Sequence, residues 1–194
     1  MPPTQLDFEN LRSHILLGSL STESFDLIKP LINIKELKKN DYFLKQGQTP
    51  SEIGFILSGL TRLFSTSEEG KEHTKDFMAE GQFIGGLPSL IVPGPSRFSI
   101  QTLGQAKLIV ISYVNLILLA ENNLEWANIL RKFMELKYLE KEEREYRFLN
   151  YNAKKYYTAF EKDFSHLMHR IPKYHIASYL GITPPALSRL MHKS

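Results

Sequence analysis

The chain of 194 residues contains no cysteine and no apolar run long enough to cross a bilayer. The lack of cysteine excludes disulfides, thiolate zinc sites and cysteine-ligated iron–sulfur clusters. The N-terminal segment MPPTQLDFENLRSH has no basic stretch followed by an apolar one, so it does not predict a signal peptide. We therefore expect a cytoplasmic protein that does not bind a membrane.

Catalytic motifs are also absent from the sequence. There is no G-x-x-x-x-G-K-[ST], G-x-S-x-G or H-E-x-x-H, and the adjacent acids Glu68–Glu69 and Glu142–Glu143 do not share a face. His166 and His169 lack a nearby carboxylate or third ligand at metal-binding spacing. The sequence therefore predicts no enzyme, no catalytic residue, no metal site and no cofactor.

Hydrophobic residues make up 42% of the chain and charged residues 23%, as in a globular protein large enough for two modest domains. The net charge of +3 is unevenly distributed. Residues 151–194 contain seven Lys or Arg residues and two acids, a net +5 that leaves −2 for the rest. Such a basic segment suits a polyanionic partner, although a solvated basic face is a common alternative.

Residues 171–194 predict two short helices joined by a tight turn. Ile176 and Leu180 fall on one face of the first helix. Gly181 suits the positive φ of a helix C-terminus. Thr183 is a good N-cap for the second helix, and Pro184 fits its first position. This pattern is typical of a helix-turn-helix, although an ordinary helical hairpin packed on a core is an alternative.

In DNA-binding helix-turn-helix pairs, the second helix enters the major groove. Here that helix buries Leu187 and presents Ser188 and Arg189, our candidates for reading base edges. Pro185 and Ala186 would lie near the groove floor, and the remaining candidates would contact phosphates or cap the helix. The full set of predicted DNA-binding residues is Lys173, Tyr174, Thr183, Pro185, Ala186, Ser188, Arg189, His192 and Lys193.

Residues 34–112 consist of short strand-like segments separated by turn signals, which predicts a sandwich or barrel. The predicted strands span residues 34–37, 42–44, 53–58, 61–67, 72–78, 82–84, 97–102 and 107–111. Residues 4–33 look mostly helical, with a break near Gly18.

Helical periodicity returns after the strands, with a short helix over 114–122 and a long one over 124–149. The long helix carries an apolar seam with a period near 3.5, wide enough for one face on a partner helix and one on the rolled sheet. A core helix of a monomer is the alternative. The predicted dimer interface consists of Ala127, Leu130, Phe133, Met134 and Lys137. Beyond it, the aromatic residues Tyr156, Tyr157, Phe160 and Phe164 predict a helix packed under the C-terminal pair.

Four motifs in register carry a resemblance to a known family. They are the turn Lys45–Gly47, the strand and turn Phe55–Gly59, the hairpin SEEGKEH and the segment Gly81–Gly85. Together with IASYLGITPPALSRL, they resemble the Crp/Fnr transcription regulators, which have a cyclic-nucleotide-binding-like β-roll, a long dimerisation helix and a small DNA-binding domain.

The resemblance implies an α+β fold with an antiparallel β-roll of the double-stranded β-helix or jelly-roll type, flanking helices and an all-α helix-turn-helix domain. The implied domains are residues 1–122, 123–149 and 150–194. The implied function is a homodimeric regulator that binds double-stranded DNA, with RNA polymerase as a further partner. The alternative is a signalling module whose β-roll binds a small molecule or protein and which has lost DNA binding.

The resemblance also places a phosphate-binding cassette at FIGGLPSLIVPGPSRFSI. Family members that bind cyclic nucleotides have an acid where Gly86 stands, and Ser96 rather than Arg97 aligns with their arginine. We therefore expect an unidentified effector other than cAMP, or none. The predicted effector residues are Gly85, Gly86, Leu87, Pro88, Ser89, Ser96, Arg97 and Phe98.

Overall fold

Eight short strands form two four-stranded antiparallel sheets in the computed structural model, which describes residues 1–191. The strands are β1 (Ile32–Leu37), β2 (Tyr42–Leu44), β3 (Glu52–Ser58), β4 (Thr61–Thr66), β5 (Glu72–Met78), β6 (Phe83–Gly85), β7 (Ser99–Thr102) and β8 (Ala106–Ser112). The first sheet has the order β1-β8-β3-β6 and the second the order β2-β7-β4-β5. The predicted antiparallel roll is confirmed, although β7 begins at Ser99 and leaves Arg97 in the preceding loop.

Helices lie before, between and after the strands. They are α1 (Gln5–Arg12), α2 (Thr22–Asp26), α3 (Leu87–Ile91), α4 (Tyr113–Asn122), α5 (Leu124–Asn150), α6 (Ala153–Asp163), α7 (Lys173–Leu180) and α8 (Pro184–Met191). The predicted long helix matches α5 to within one residue. Asn123 caps α5 by accepting a hydrogen bond from the Trp126 amide, which explains why the chain restarts a helix directly after α4.

The first sheet is buried on both faces, because its strands alternate apolar residues between two cores. Ile109 of β8 lies opposite Ile34 and Phe55 in the neighbouring strands, and all three side chains pack against α1, α4 and α5 in one hydrophobic cluster. Leu108 and Val110 point to the other side, into the space between the two sheets. Burial on both faces fits the near-continuous apolar sequence of β8.

The second sheet carries the C-terminal helices on its outer face. Phe77 and Ala79 of this region join the aromatic side chains of α6 in a single buried cluster. Tyr156, Tyr157 and Phe160 are each at most 3% exposed, so the prediction that this aromatic face forms core is confirmed. The rings of Phe77 and Phe160 meet edge to face with their centroids 6.1 Å apart.

None of the helices within residues 1–191 is long and apolar enough to span a membrane. The predicted contacts of His192 and Lys193 lie outside the described residues.

Candidate nucleic-acid interface and effector site

Helices α7 and α8 meet at a turn built on Gly181, whose φ of 69° is the left-handed conformation that favours glycine. The turn is closed by the Ile182 amide, which donates to the Ala177 carbonyl at 3.0 Å. At the start of α8, the Ala186 amide donates to Oγ1 of Thr183 at 3.4 Å, so Thr183 occupies the predicted capping position. Leu187 is 1% exposed and anchors α8 in the core.

The outer face of α8 presents the residues predicted to read DNA. Pro185, Ser188 and Arg189 are exposed, and their i, i+3 and i+4 spacing places them on one side of the helix. Among the described residues, no acidic side chain forms an ion pair with Arg189. The other described candidates are Lys173, Tyr174 and Thr183, which are exposed, and Ala186, which is half-buried.

The side of α7 that faces the second sheet contacts a buried arginine, Arg62, which the sequence patterns did not predict. Arg62 of β4 is 1% exposed, and its Nη1 lies 2.7 Å from Nδ1 of His175. Its Nη2 donates to Oε2 of Glu72 at 2.6 Å, and its guanidinium lies 3.8 Å from the centre of the Phe64 ring. Burial, followed by the Arg62 charge, lowers the pKa of His175 to about 4, so the ring is neutral at pH 7.

Two further contacts fix α7 and the segment before it on the second sheet. Oγ of Ser178 accepts from the Thr74 amide and donates to the Glu72 carbonyl, both at 2.9 Å. Arg170 donates twice to the carboxylate of Glu80, at 2.7 and 2.9 Å. Burial acts to raise the pKa of Glu80, but the hydrogen bonds from Arg170 and from backbone amides outweigh it and hold the pKa at about 2.

The predicted effector segment, residues 85–98, is tightly enclosed at Gly86. A Cβ atom at this position would lie 2.7 Å from Cδ2 of Leu44 and 3.0 Å from Cγ of Pro50. Gly85, just before it, ends β6, and Leu87 and Pro88 form the first turn of α3. An acidic side chain at the position of Gly86 would therefore have to displace Leu44 and Pro50.

The second half of that segment directs its polar groups inward and its cation outward. Ser96 is buried, and its Oγ donates to the Phe98 carbonyl at 2.8 Å. Arg97 is exposed, whereas the half-buried Phe98 ring lies 4.6 Å from Nζ of Lys75. Ser89 donates to the Pro95 carbonyl at 3.2 Å. The side-chain hydrogen bonds of Ser89 and Ser96 are thus made within the segment itself.

The space between the two sheets contains apolar side chains that are at most 6% exposed. They are Leu44, Ile56, Met78, Ile84, Ile100, Leu108 and Val110.

The predicted dimer residues of α5 are all half-buried within the single chain. Phe133 packs against the chain's own roll, with its ring centroid 5.5 Å from that of Phe83. Ala127 and Met134 lie about 100–120° farther round the helix, away from that contact. Beyond them, α5 exposes the apolar side chains Leu136, Tyr138, Leu139, Tyr146, Phe148 and Leu149.

Arg144 lies in the charged segment KEEREYR, residues 141–147, where we expect solvent-exposed side chains. Arg144 is nevertheless half-buried, donates to the Thr74 carbonyl at 3.4 Å and lies 5.2 Å from the centre of the Tyr179 ring.

Within residues 1–191 there is no group of three or more His, Cys, Asp or Glu side chains that could hold a metal ion.

Comparison with known proteins identifies the roll. A sequence model of the cyclic nucleotide-binding domain matches residues 34–123, which span all of β2 to β8. Residues 34–123 have the cyclic nucleotide-binding fold. No curated protein matches the chain by sequence.

Solved structures share this fold over most of the chain. FixK2 from Bradyrhizobium japonicum is 15% identical with a TM-score of 0.74, covering 84% of this chain and 83% of FixK2. The c-di-GMP-responsive global regulator CLP of Xanthomonas campestris is 14% identical with a TM-score of 0.72, over 89% and 91% of the two chains. A crp/fnr-family regulator from Eubacterium rectale is 17% identical with a TM-score of 0.72, over 92% and 85%. The similarity therefore extends past the cyclic nucleotide-binding fold into the helices that follow it.

Proposed function

We propose that this protein is a homodimeric transcription regulator of the Crp/Fnr type that binds double-stranded DNA through α7 and α8. The observation that carries the proposal is the exposed face of Pro185, Ser188 and Arg189 on a helix anchored by the buried Leu187. The order of elements supports it, because a roll, a long helix and a terminal helix pair follow one another as the resemblance to the Crp/Fnr regulators implies.

In this proposal Arg189 binds a guanine edge or a phosphate, and Lys173 and Tyr174 contact the DNA backbone at the start of α7. A dimer would place two copies of α8 on successive turns of one face of the duplex, so the binding site should be two-fold symmetric with half-sites about 34 Å apart. The phosphate contacts should make the affinity fall steeply as salt concentration rises.

The test is selection of bound sequences from a pool of randomised duplexes, followed by fluorescence anisotropy with the enriched duplex. We expect a two-fold symmetric site and a loss of about 1–3 kcal/mol of binding free energy in Arg189→Ala. Arg97→Ala is the matched control, since Arg97 is also exposed but precedes β7 of the roll. A folded protein that enriches no duplex, or an Arg189→Ala variant that binds like the wild type, contradicts the proposal.

Dimerisation is the second part of the proposal, and it places Ala127, Leu130 and Met134 against the same helix of a second copy. Met134→Glu should shift the protein to monomers in analytical ultracentrifugation, because a charge would be buried in the seam. Leu139→Glu is the control, since Leu139 lies about 140° away around α5 and is 60% exposed. Dissociation by Leu139→Glu alone would place the interface on the other face of the helix.

We further propose that the roll does not bind cAMP in the manner of the cyclic-nucleotide receptors. Three local observations support this: an acid at Gly86 would have to displace Leu44 and Pro50, Arg97 is exposed, and a buried apolar cluster lies between the two sheets. Isothermal titration with cAMP and cGMP should show no binding. A saturable heat signal that is lost in Arg97→Ala would overturn this part and leave the DNA proposal intact.

A further inference from the structure

A cavity of about 50 Å³ lies outside the roll, between the outer face of the first sheet and the helices that cover it. Its floor is formed by Ile53, Phe55 and Ile109 of the sheet, and its roof includes Leu17, Trp126 and Ile129. The cavity is therefore separate from the interior of the roll and from the segment 85–98, where the resemblance places an effector.

The lining is apolar throughout. Every side chain that borders the cavity belongs to leucine, isoleucine, phenylalanine or tryptophan, and a backbone glycine completes the wall. The single polar group of these side chains, the indole N–H of Trp126, already donates to the Ser24 carbonyl at 2.8 Å. An ordered water needs two to four polar partners, which this lining does not offer, so the cavity favours apolar molecules.

The volume limits the occupant to a small molecule. It is about one third of the roughly 150 Å³ at which an engineered apolar cavity accepts benzene or xenon. Four lining residues are only partly buried, namely Phe83, Leu116, Leu130 and Phe133. Because Phe83 and Phe133 meet edge to face at 5.5 Å, movement of these two rings would open a path from solvent.

The cavity is connected to the C-terminal helices through α5. Trp126, Ile129 and Phe133 line it, and the same helix carries Arg144, which contacts Thr74 of β5 and Tyr179 of α7. A change in the position of α5 at the cavity would therefore be felt where α7 rests on the second sheet.

We propose that this cavity is an effector site for a small apolar molecule, such as a dissolved diatomic gas or a short hydrocarbon, whose binding stabilises α5 in the position described here. The proposal of a binding site does not depend on the proposed function, whereas the proposed effect on DNA binding rests on it. Occupancy removes an unfilled volume from the core and so favours the arrangement of α5 in which the cavity is formed.

Xenon is the probe for the site, since it is apolar and monatomic. In methyl NMR of the full-length protein, rising xenon pressure should shift the signals of Leu17, Ile53 and Ile109 until they saturate, and leave Ile84 and Leu108 of the roll interior unchanged. Leu116→Phe should abolish the shifts by filling the cavity, whereas Leu118→Phe, exposed on the same helix, should retain them.

The absence of saturable shifts in the wild-type protein would overturn the site, whether or not the variants fold. The coupling is measured with the enriched duplex by anisotropy, with and without xenon. We expect xenon to change the duplex affinity of the wild-type protein and not that of Leu116→Phe. Xenon binding without any change in affinity would refute the coupling, while a protein that binds xenon but no duplex would refute the proposed function and leave the site standing.

Discussion

Nη1 of Arg62 and Nδ1 of His175 lie 2.7 Å apart, and this contact joins the outer face of the second sheet to α7. Both side chains are at most 5% exposed, and 113 positions separate them in the sequence. Glu72, at the start of β5, completes the cluster from the solvent side, with 44% of its side chain exposed. The C-terminal helices are thus held on the roll by the buried guanidinium of Arg62, whose charge is balanced by the partly exposed carboxylate of Glu72.

Removing the buried cation should weaken this attachment. Arg62→Met leaves His175 and Glu72 without their shared partner, and the loss of one member of a buried charged pair costs about 3–5 kcal/mol, reduced here because Glu72 reaches water. We expect a decrease of about 2–4 kcal/mol in the free energy of unfolding, measured by urea titration. Arg131→Met is the matched control and should cost about 0.5 kcal/mol or less, since Arg131 and Glu135 are each 56% exposed. Equal losses in the two variants would show that the buried cluster contributes no more to the free energy of unfolding than an exposed ion pair does.

Acidification should loosen the same contact through His175. The pKa of His175 is about 4 in the folded protein, below its ordinary value of 6.5, so between these values the unfolded chain binds more protons. The contribution of His175 to the free energy of unfolding is then fully present above pH 6.5 and falls as the pH drops toward 4. At pH 5 it is lower by about 2 kcal/mol. Thermal unfolding of the wild type and His175→Asn at pH 7.5 and 5 checks this, because asparagine keeps an acceptor for Arg62 but does not titrate. The expectation is wrong if both proteins lose the same stability.

Asp76 of β5 should act in the opposite direction. Burial raises the pKa of Asp76 to about 6, so the folded protein binds the proton more tightly than the unfolded chain between about 3.8 and 6. The stability linked to this group is present below the lower value and is lost as the pH rises through 6. Asp76→Asn can still accept the 2.8 Å hydrogen bond from the Phe77 amide.

We therefore expect Asp76→Asn to have a higher melting temperature than the wild type at pH 8, with the difference shrinking toward pH 4. Asp26→Asn is the control, because Asp26 is 49% exposed and paired with Lys29, so its effect should stay within about 0.5 kcal/mol. A variant less stable than the wild type at pH 8 would show that the carboxylate is needed in its charged form, for instance by Lys137 or Arg144 on α5.

Adding a side chain at Gly86 should destabilise the roll. The Cβ of Gly86→Ala would come within 2.7 Å of Leu44 and 3.0 Å of Pro50, and such overpacking costs about 1–3 kcal/mol. Gly104→Ala is the matched control, since its Cβ meets no described atom within 4 Å, and it should be neutral or stabilising by about 0.4–1 kcal/mol. Chemical denaturation of the two variants compares them directly. A Gly86→Ala protein as stable as Gly104→Ala would indicate that Leu44 and Pro50 move aside at little cost. An acidic side chain could then be accommodated at position 86.

Much of the secondary structure could be read from local patterns. The strands alternate apolar residues between turn signals, and α5 has a continuous helical sequence capped by Asn123, so residues close in the chain specify these elements. The turn at Gly181 and the buried Leu187 follow the same logic, since a left-handed residue and a capped helix are local requirements.

The candidate sites were less predictable, because they depend on residues that meet only after folding. Arg62 lies in a strand where a charged residue normally indicates a solvent-facing position, and only the docking of α7 buries it. Arg144 looks solvated in its charged stretch, but it contacts β5 and α7. No local pattern records which element will cover a face.

By itself, then, the sequence determined the eight strands, the long helix, the terminal helix pair and the exposure of Pro185, Ser188 and Arg189 on α8. Those features follow from periodicity, capping and turn chemistry, which act over a few residues. The tertiary structure alone decided that Leu44 and Pro50 close the space beside Gly86, that an apolar cavity lies under α5, and that Arg62 meets His175. The physical reason is that packing is a property of surfaces brought together from distant parts of the chain, and its gaps and buried charges exist only once those surfaces have met.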